Sequence, residues 1–320
     1  MRNLVLAASD LFGGFDTLPA LGELVRFGSV TPERASWRSW SAHWIGCPDL
    51  ANLAPGALAA HARHERAASR ASPERWCWLL RPLHLIAAPS GVHLIPEGLL
   101  SLEPHEADRV QRDFNAAFAD SGYELEALPV GGFLATGPAS PLALATTDPA
   151  RCIGARLESA LPRGPGSPAL RRLAAEVEMW LHEHAVNQVR AQHGRLPVST
   201  LWWWGGGALS ARDASRQTAE PVALFSADAA LAGLAALAGV PHAGVPADLS
   251  ALAASAAPRA LLALECGSFE QFERRWVAPA LEALRCGELD ALTVLVSERA
   301  IHLTRRDRLK FWRRQRASGW

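Results

Sequence analysis

The sequence has little of several features that would indicate a specific class of function. Its 32 basic and 32 acidic residues give a formal net charge of zero, so no general polyanion-binding surface is indicated and no nucleic-acid partner is expected. The five cysteines are scattered and include no C-x-x-C pair, so neither a zinc site nor a disulfide framework is indicated. This cysteine usage fits a reducing cytoplasm, which is the expected location.

Long apolar runs are also missing. No stretch approaches the about 18 uninterrupted apolar residues that a membrane-spanning helix needs, so no membrane association is expected. The short apolar run in residues 1–14 is interrupted by Asp10, and it does not have the pattern of a signal peptide.

What is present is enough apolar sequence for two domains. The chain has 320 residues, of which 49% are apolar, and this length exceeds what a single core usually covers. Residues 4–9 have the pattern of a buried strand and residues 17–28 that of a helix, while residues 31–74 are irregular. An α/β sheet domain is therefore expected to begin in residues 1–74.

The pattern changes at about residue 76, where two strands, a helix and two further strands are predicted before a Pro/Gly-rich segment. We interpret residues 75–168 as an inserted, smaller α+β domain. A strong helix at 169–193 and alternating strands and helices at 197–297 follow, so residues 169–320 are expected to complete the sheet domain. The predicted fold class is α/β, with a mostly parallel, doubly wound sheet.

Three tryptophans followed by three glycines, "WWWGGG" at 202–207, form the most unusual segment. A dinucleotide-binding G-x-G-x-x-G loop needs a helix directly after the glycines, but a polar "SARDASRQ" segment follows and Ser210 occupies the third glycine position. A dinucleotide site is therefore not expected. Two interpretations remain open: a ligand-binding loop at the end of a strand, or a tight turn whose tryptophans pack in the core.

Several polar side chains are candidates for chemistry. Asp10, Asp228 and Glu265 each follow a predicted strand and are potential metal ligands, although Asp228 precedes an alanine-rich helix and is equally a candidate helix cap. Cys47 is a candidate nucleophile, but no paired histidine is identifiable, and a structural cysteine is the alternative.

The helix before the tryptophans carries a second group of polar residues. His184, Asn187 and Arg190 follow one another at intervals of about one helical turn. They predict either a polar patch that meets an anion or a solvated helix face.

The segment "HAVNQVRAQHGRLPVSTLWWWGGG" resembles the corresponding segment of archaeal-type cofactor-independent phosphoglycerate mutases. The resemblance extends loosely over most of the chain, and the block from Asn187 to Gly207 is its specific part. The chain length and this block are also similar to a shorter proteobacterial group, the RpfE-type regulatory proteins.

The resemblance implies an alkaline-phosphatase-like fold, whose enzymes use two divalent metal ions and a Ser or Thr nucleophile. This chain departs from that pattern, because "LECGSFEQF" and "LVSERAIHL" stand where the family has its histidine-containing metal ligands. Asp10 alone falls at a matching ligand position, and Cys47 falls opposite the family's nucleophile segment.

These observations lead to three hypotheses. The first is a degenerate, metal-free relative that binds a small anionic, phosphorylated ligand and acts in regulation, with a regulatory protein as a further partner and no cofactor. Its ligand-binding residues would be Asn187, Arg190, Trp204, Gly205 and Gly207.

The second hypothesis is an active phosphomutase or phosphatase with relocated metal ligands. Manganese or zinc would then be held by Asp10, Glu265, Glu298 and His302, which must converge on a common point. The third hypothesis is a protein-interaction module that works through exposed tryptophans, and buried tryptophans would count against it.

Overall fold

The computed structural model describes residues 2–8, 11, 18–33, 36–64, 75–129, 131–139, 143–154, 156–209, 221–253, 257–265, 267–296 and 299–307. The chain divides into two compact units. Unit 1 comprises residues 1–52 and 215–320, and unit 2 comprises residues 53–214.

Strands and helices are numbered in chain order. The strands are β1 (Asn3–Ala8), β2 (Ser29–Pro32), β3 (Arg75–Ala88), β4 (Gly91–Leu99), β5 (Glu124–Ala127), β6 (Phe133–Pro138), β7 (Thr200–Gly207), β8 (Val222–Ser226), β9 (His242–Ala243), β10 (Arg259–Leu264), β11 (Ala291–Val296) and β12 (Arg299–Thr304). The helices are α1 (Pro19–Phe27), α2 (Trp37–Trp44), α3 (Pro55–His64), α4 (Pro104–Ala117), α5 (Ser167–Glu183), α6 (Ala185–Gln192), α7 (Ala229–Ala238), α8 (Leu249–Ala253), α9 (Phe269–Phe272) and α10 (Ala278–Cys286). None of the helices in the described ranges is both long enough and apolar enough to cross a membrane.

Unit 1 is built on a seven-stranded sheet in the order β2-β12-β11-β1-β10-β8-β9. The strands from β11 to β9 are parallel, while β12 and β2 pair antiparallel at one edge. The central strands are nearly continuous apolar runs, as expected for parallel strands that are buried on both faces. The predicted α/β class with a mostly parallel sheet is confirmed.

Helices α1, α9 and α10 share one apolar core with the sheet of unit 1, which includes Leu21, Leu262 and Trp276. A π-helical turn, Glu273–Val277, joins α9 to α10. Its buried Glu273 carboxylate accepts a hydrogen bond of 2.9 Å from the Leu21 backbone N–H. Because the N-cap residue of α1 is Leu18, which has no side-chain acceptor, Glu273 satisfies a donor in the first turn of that helix.

Unit 2 contains a five-stranded antiparallel sheet centred on the long strand β3. β6 and β4 pair with successive parts of β3 along one side, and β7 pairs with the other side. Helices α4 and α5 share a buried core with one face of this sheet, which includes Trp78, Phe114, Val177 and Trp203. The order of two strands, a helix and two strands predicted after residue 75 is confirmed by β3, β4, α4, β5 and β6.

The compact units meet at residues 52/53 and 214/215, and the expected domain boundaries at 74/75 and 168/169 stay a prediction. The prediction that 197–204 belongs to the parallel sheet is wrong, because β7 pairs antiparallel with β3, with Trp203 opposite Leu80. Unit 2 also contains α3, α5, α6 and β7. The predicted helix at 169–193 is interrupted at His184, between α5 and α6.

Candidate functional site

The sheet of unit 1 has a topological switch point between β8 and β10. From β8 the chain continues to β9, which is the next strand toward one edge of the sheet. From β10 it continues in the opposite direction, past β1, to β11. Open α/β sheets bind ligands at the carboxyl ends of strands at such a point, because the connections diverge and leave a crevice. The carboxyl ends of β8 and β10 are therefore the candidate functional site.

Asp228 lies just beyond β8 at this site and caps α7. The Leu231 backbone N–H donates to its Oδ1 atom over 2.8 Å, and the Asp228 N–H donates to Ser226 Oγ over 3.0 Å. These bonds satisfy a donor of the first helical turn and fix the side chain at the end of the strand. The helix-cap interpretation of Asp228 is confirmed.

Arg38 of α2 binds the other carboxylate oxygen of Asp228. Its Nε and Nη2 atoms donate to Asp228 Oδ2 over 3.0 and 2.6 Å, and the two side chains are 14% and 3% exposed. The guanidinium also lies 4.4 Å from the ring centroid of Trp37. Both oxygens of Asp228 are thus engaged by protein donors, and a guanidinium neutralises the charge that a metal ion would otherwise balance.

Arg38 was not among the residues that the sequence singled out. It lies on α2, within the segment 31–74 that showed no strong pattern, and its partner is 190 residues away in the chain. The available local signal is Ser36, which caps α2 by accepting a hydrogen bond from the Ser39 N–H. That signal predicts a helix start but not the ion pair.

Glu265 and His302, two of the proposed metal ligands, lie far apart in the sheet. Glu265 directly follows β10, whereas His302 lies on β12, opposite Thr293, and its Nδ1 atom is 2.9 Å from Thr293 Oγ1. β11 and β1 separate these two strands, and Thr293 is level with Val5, well before the carboxyl end of β1. The spacing between strands and the rise per residue place the two backbones about 20 Å apart. One ion with bonds of about 2 Å cannot take both side chains as ligands.

The other two proposed ligands, Asp10 and Glu298, lie outside the described residues. Within the described ranges, no group of three or more His, Cys, Asp or Glu side chains is arranged to hold a metal ion. A role for Asp10 and Glu298 in metal binding, and for Asp10 in catalysis, stays a prediction.

Cys47 is buried just before the short helical turn Pro48–Leu50. Burial raises the pKa of its thiol, which disfavours the thiolate that acts as a nucleophile. This environment supports the structural interpretation of Cys47 over the catalytic one.

Asn187, a predicted ligand-binding residue, is buried and makes three hydrogen bonds within unit 2. Its Nδ2 atom donates to the carbonyl oxygens of Leu181 and Val198 over 2.8 and 2.9 Å. Its Oδ1 atom accepts from the Val198 N–H over 2.7 Å. Asn187 therefore ties the end of α5 to the segment that leads into β7.

Arg190 is buried one turn further along α6. Its Nε donates to the Leu196 carbonyl over 2.7 Å, and its Nη1 donates to Glu106 Oε2 over 2.8 Å. The second Glu106 oxygen lies 3.4 Å from Arg195 Nη2. The polar residues of this helix thus do not form a solvated face, because they are buried and join α6 to α4 and to the segment before β7. A ligand-binding role of Asn187 and Arg190 stays a prediction.

The glycines after the tryptophans make room for neighbouring protein atoms. A Cβ atom at Gly205 would lie 2.9 Å from Pro55 Cβ, and one at Gly207 would lie 2.5 Å from Ala54 Cβ. A Cβ atom at Gly206 would lie 2.4 Å from the Trp78 ring. Gly205 also has φ of +63°, a conformation that favours glycine.

The tryptophan-glycine segment is therefore closely packed. The Gly205 N–H donates to Thr146 Oγ1 over 3.1 Å, and Trp202 Nε1 donates to the Thr147 carbonyl over 2.8 Å. Trp204 is buried. Since protein atoms fill the space beside the glycines, this geometry supports the packing interpretation of the segment, and a ligand-binding role of Trp204, Gly205 and Gly207 stays a prediction.

Comparisons with known proteins show distant similarity to solved structures. Neither protein-family models nor curated proteins gave a match. Among solved structures, the chain is similar to the cofactor-independent phosphoglycerate mutase from Thermoplasma acidophilum DSM 1728, with 15% identity, a TM-score of 0.38, and coverage of 95% of this chain and 90% of that one. It is also similar to the PH0037 protein from Pyrococcus horikoshii, with 13% identity, a TM-score of 0.47, and coverage of 95% and 87%. Both similarities extend over nearly the whole chain at low sequence identity.

Proposed function

We propose that this chain is a phosphoglycerate mutase-like protein with a degenerate metal site, which binds a small anionic ligand and acts in regulation rather than in phosphoryl transfer. This is the role that its resemblance to the RpfE-type regulatory proteins implies. The ligand would be phosphorylated and would bind at the carboxyl ends of β8 and β10, and no metal or organic cofactor would be needed.

The ion pair between Arg38 and Asp228 is the observation that carries the proposal. Arg38 is the second residue of α2, and Asp228 is the N-cap of α7, so their contact brings the first turns of both helices to the switch point. Backbone N–H groups and the positive end of the helix dipole make such a place favourable for an anion. A metal-dependent enzyme of this fold would instead keep its strand-end carboxylates available for the ions.

The tryptophans give less support to the hypothesis of an interaction module. Ten of the twelve tryptophans fall within the described ranges, and each of these is buried or half-buried. Because a docking surface of aromatic side chains has to be exposed, a regulatory protein partner would have to bind elsewhere on the molecule.

Ligand binding and metal content of the purified full-length chain test the proposal. Inorganic phosphate and phosphoglycerate are titrated into chelator-treated protein, and metal content is measured before treatment. We expect saturable binding that the chelator does not change, together with neither mutase nor phosphatase turnover. Stoichiometric manganese or zinc with robust turnover would overturn the proposal and support the enzyme with relocated ligands.

A matched pair of variants locates the binding site. Arg38→Lys keeps the charge but loses the two-donor contact with Asp228, so it should weaken binding of the anion. Arg285→Lys changes an exposed arginine of the same unit, which pairs with Glu23 and Glu282, and it should bind as the wild type does. Equal affinity in both variants would place the anion elsewhere.

A further inference from the structure

His184 interrupts the helical segment in unit 2 and caps the helix that follows. Its Nδ1 atom accepts a hydrogen bond of 3.2 Å from the Val186 N–H. Its Nε2 atom lies 3.2 Å from Asp113 Oδ2 of α4. One neutral form satisfies both contacts, with the proton on Nε2 and none on Nδ1. Protonation of Nδ1 would turn this acceptor into a donor that faces another donor.

The surroundings of His184 hold it in this form. Its side chain is 5% exposed, and its ring lies 4.5 Å from that of Trp180 on α5. The charged groups that face it come from α4, where Arg109 donates to Asp113 over 3.0 Å. On α6, the next charged residue is Arg190, which is bound to Glu106. His184 is thus a buried imidazole, and its carboxylate partner within the described residues is Asp113.

The helix that His184 caps holds the approach to the tryptophan strand. α6 carries Asn187 and Arg190, which bind the backbone at Val198 and Leu196, directly before β7. If the first turn of α6 opens, Asn187 leaves its partners, because it is the third residue of that helix. Loss of the cap would therefore break the hydrogen bonds that hold the segment before β7.

We propose that His184 is a proton-sensitive latch: uptake of a solvent proton at Nδ1 removes the cap of α6 and opens residues 185–198. The device regulates unit 2 and is independent of anion binding by unit 1. No covalent step is involved, because the proton alone changes Nδ1 from a hydrogen-bond acceptor into a donor.

The direction of the pH dependence follows from the environment of the ring. Burial lowers the pKa of His184 below its ordinary value, and the Asp113 carboxylate opposes that shift in part. The open form takes up a proton more readily than the closed form, so opening becomes easier as pH falls below about 6.5. Between the two pKa values the opening equilibrium rises by about tenfold per pH unit, since one proton is taken up.

Hydrogen exchange of the full-length chain at about pH 7.5 and about pH 5.5 tests the latch, with rates divided by those of unprotected peptides to remove intrinsic pH effects. Protection of residues 185–198 should fall with pH in the wild type. His184→Asn keeps a good helix cap that does not titrate, so its protection should be independent of pH. His193→Asn changes an exposed histidine at the other end of α6 and should behave as the wild type does.

A second variant checks the direction of the coupling. Asp113→Asn removes the negative charge that favours the protonated ring in the closed form, so the pKa of His184 in that form falls further and the loss of protection between about pH 7.5 and about pH 5.5 should be larger than in the wild type. Constant protection in the wild type, or the same pH dependence in His184→Asn, would overturn the latch. A loss of protection in Asp113→Asn that is equal to or smaller than that of the wild type would also contradict it.

Discussion

Arg38 and Asp228 form a largely buried ion pair at the carboxyl end of β8, and the same carboxylate caps α7. The guanidinium donates twice to Oδ2, while the Leu231 N–H donates to Oδ1. Arg38 thus neutralises the charge of the Asp228 carboxylate. Their contact joins the first turns of α2 and α7 at the switch point of the sheet. The proposed function of unit 1 depends on this arrangement.

Removing the arginine should destabilise unit 1 strongly. Arg38→Leu leaves the Asp228 carboxylate buried without its cation, and breaking a buried pair in this way costs about 3 kcal/mol or more. Hydrogen exchange of the peptides that cover α7, measured in increasing urea, reports the free energy of unfolding of this region. Arg285→Leu breaks exposed pairs and should cost about 1 kcal/mol or less. Equal losses in the two variants would contradict the special role of Arg38.

A side chain at Gly206, the central glycine of the "GGG" segment, should lower the free energy of unfolding. Gly206→Ala places a Cβ atom against the Trp78 ring, where it would lie 2.4 Å from the nearest ring atom, and overpacking of this kind costs about 1–3 kcal/mol. Gly244→Ala meets no atom within 4 Å and should change stability by about 0.5 kcal/mol or less. Urea denaturation of both variants measures the difference, and a neutral Gly206→Ala would show that the ring can move aside.

Asn187 should be required for the order of the segment before β7. Asn187→Asp has the same shape but replaces two N–H donors with an oxygen that faces the carbonyls of Leu181 and Val198. The loss of buried hydrogen bonds costs about 1–3 kcal/mol, and exchange protection of residues 195–199 should fall. Gln188→Glu is the control, because Gln188 is exposed on the same helix. A stable Asn187→Asp variant with altered anion binding would instead support the ligand-binding role.

Cys47 should react slowly with thiol reagents. Burial raises the pKa of its thiol, so at a pH of about 8 a smaller fraction is thiolate than for a free cysteine, and the reagent cannot reach the sulfur until the site opens. Cys286 is exposed and serves as the internal reference for access, since the hydrogen bond to Glu282 raises the pKa of its thiol as well. Mass spectrometry of partly labelled protein should show Cys286 modified well before Cys47. Rapid modification of Cys47 would support the catalytic interpretation.

The sequence predicts well those features that depend on neighbouring residues. The apolar runs before Asp228 and Glu265 predict the strands that precede these residues. Asp228, a polar residue directly before an apolar helical segment, predicts helix α7 and its cap. All of these signals lie within a short stretch of chain. The parallel sheet follows from the alternation of these strands with helices, because parallel strands need crossover connections.

Features that depend on distant partners were missed. The segment that forms β7 has the apolar pattern of a buried strand, but this pattern does not distinguish a parallel strand from a central antiparallel one. Its partner β3 lies more than a hundred residues earlier. Likewise, Asn187 and Arg190 look like exposed polar residues of a helix, and only the tertiary structure shows that their hydrogen bonds are internal. The break at His184 also escaped, since histidine is not a strong helix breaker and the apolar spacing continues past it.

Binding of phosphoglycerate to chelator-treated protein, compared between the wild type and Arg38→Lys, tests the central claim most directly. The account predicts saturable binding by the wild type without metal, no turnover, and weaker binding by Arg38→Lys. Binding that appears only after manganese or zinc is added, accompanied by turnover, would contradict it.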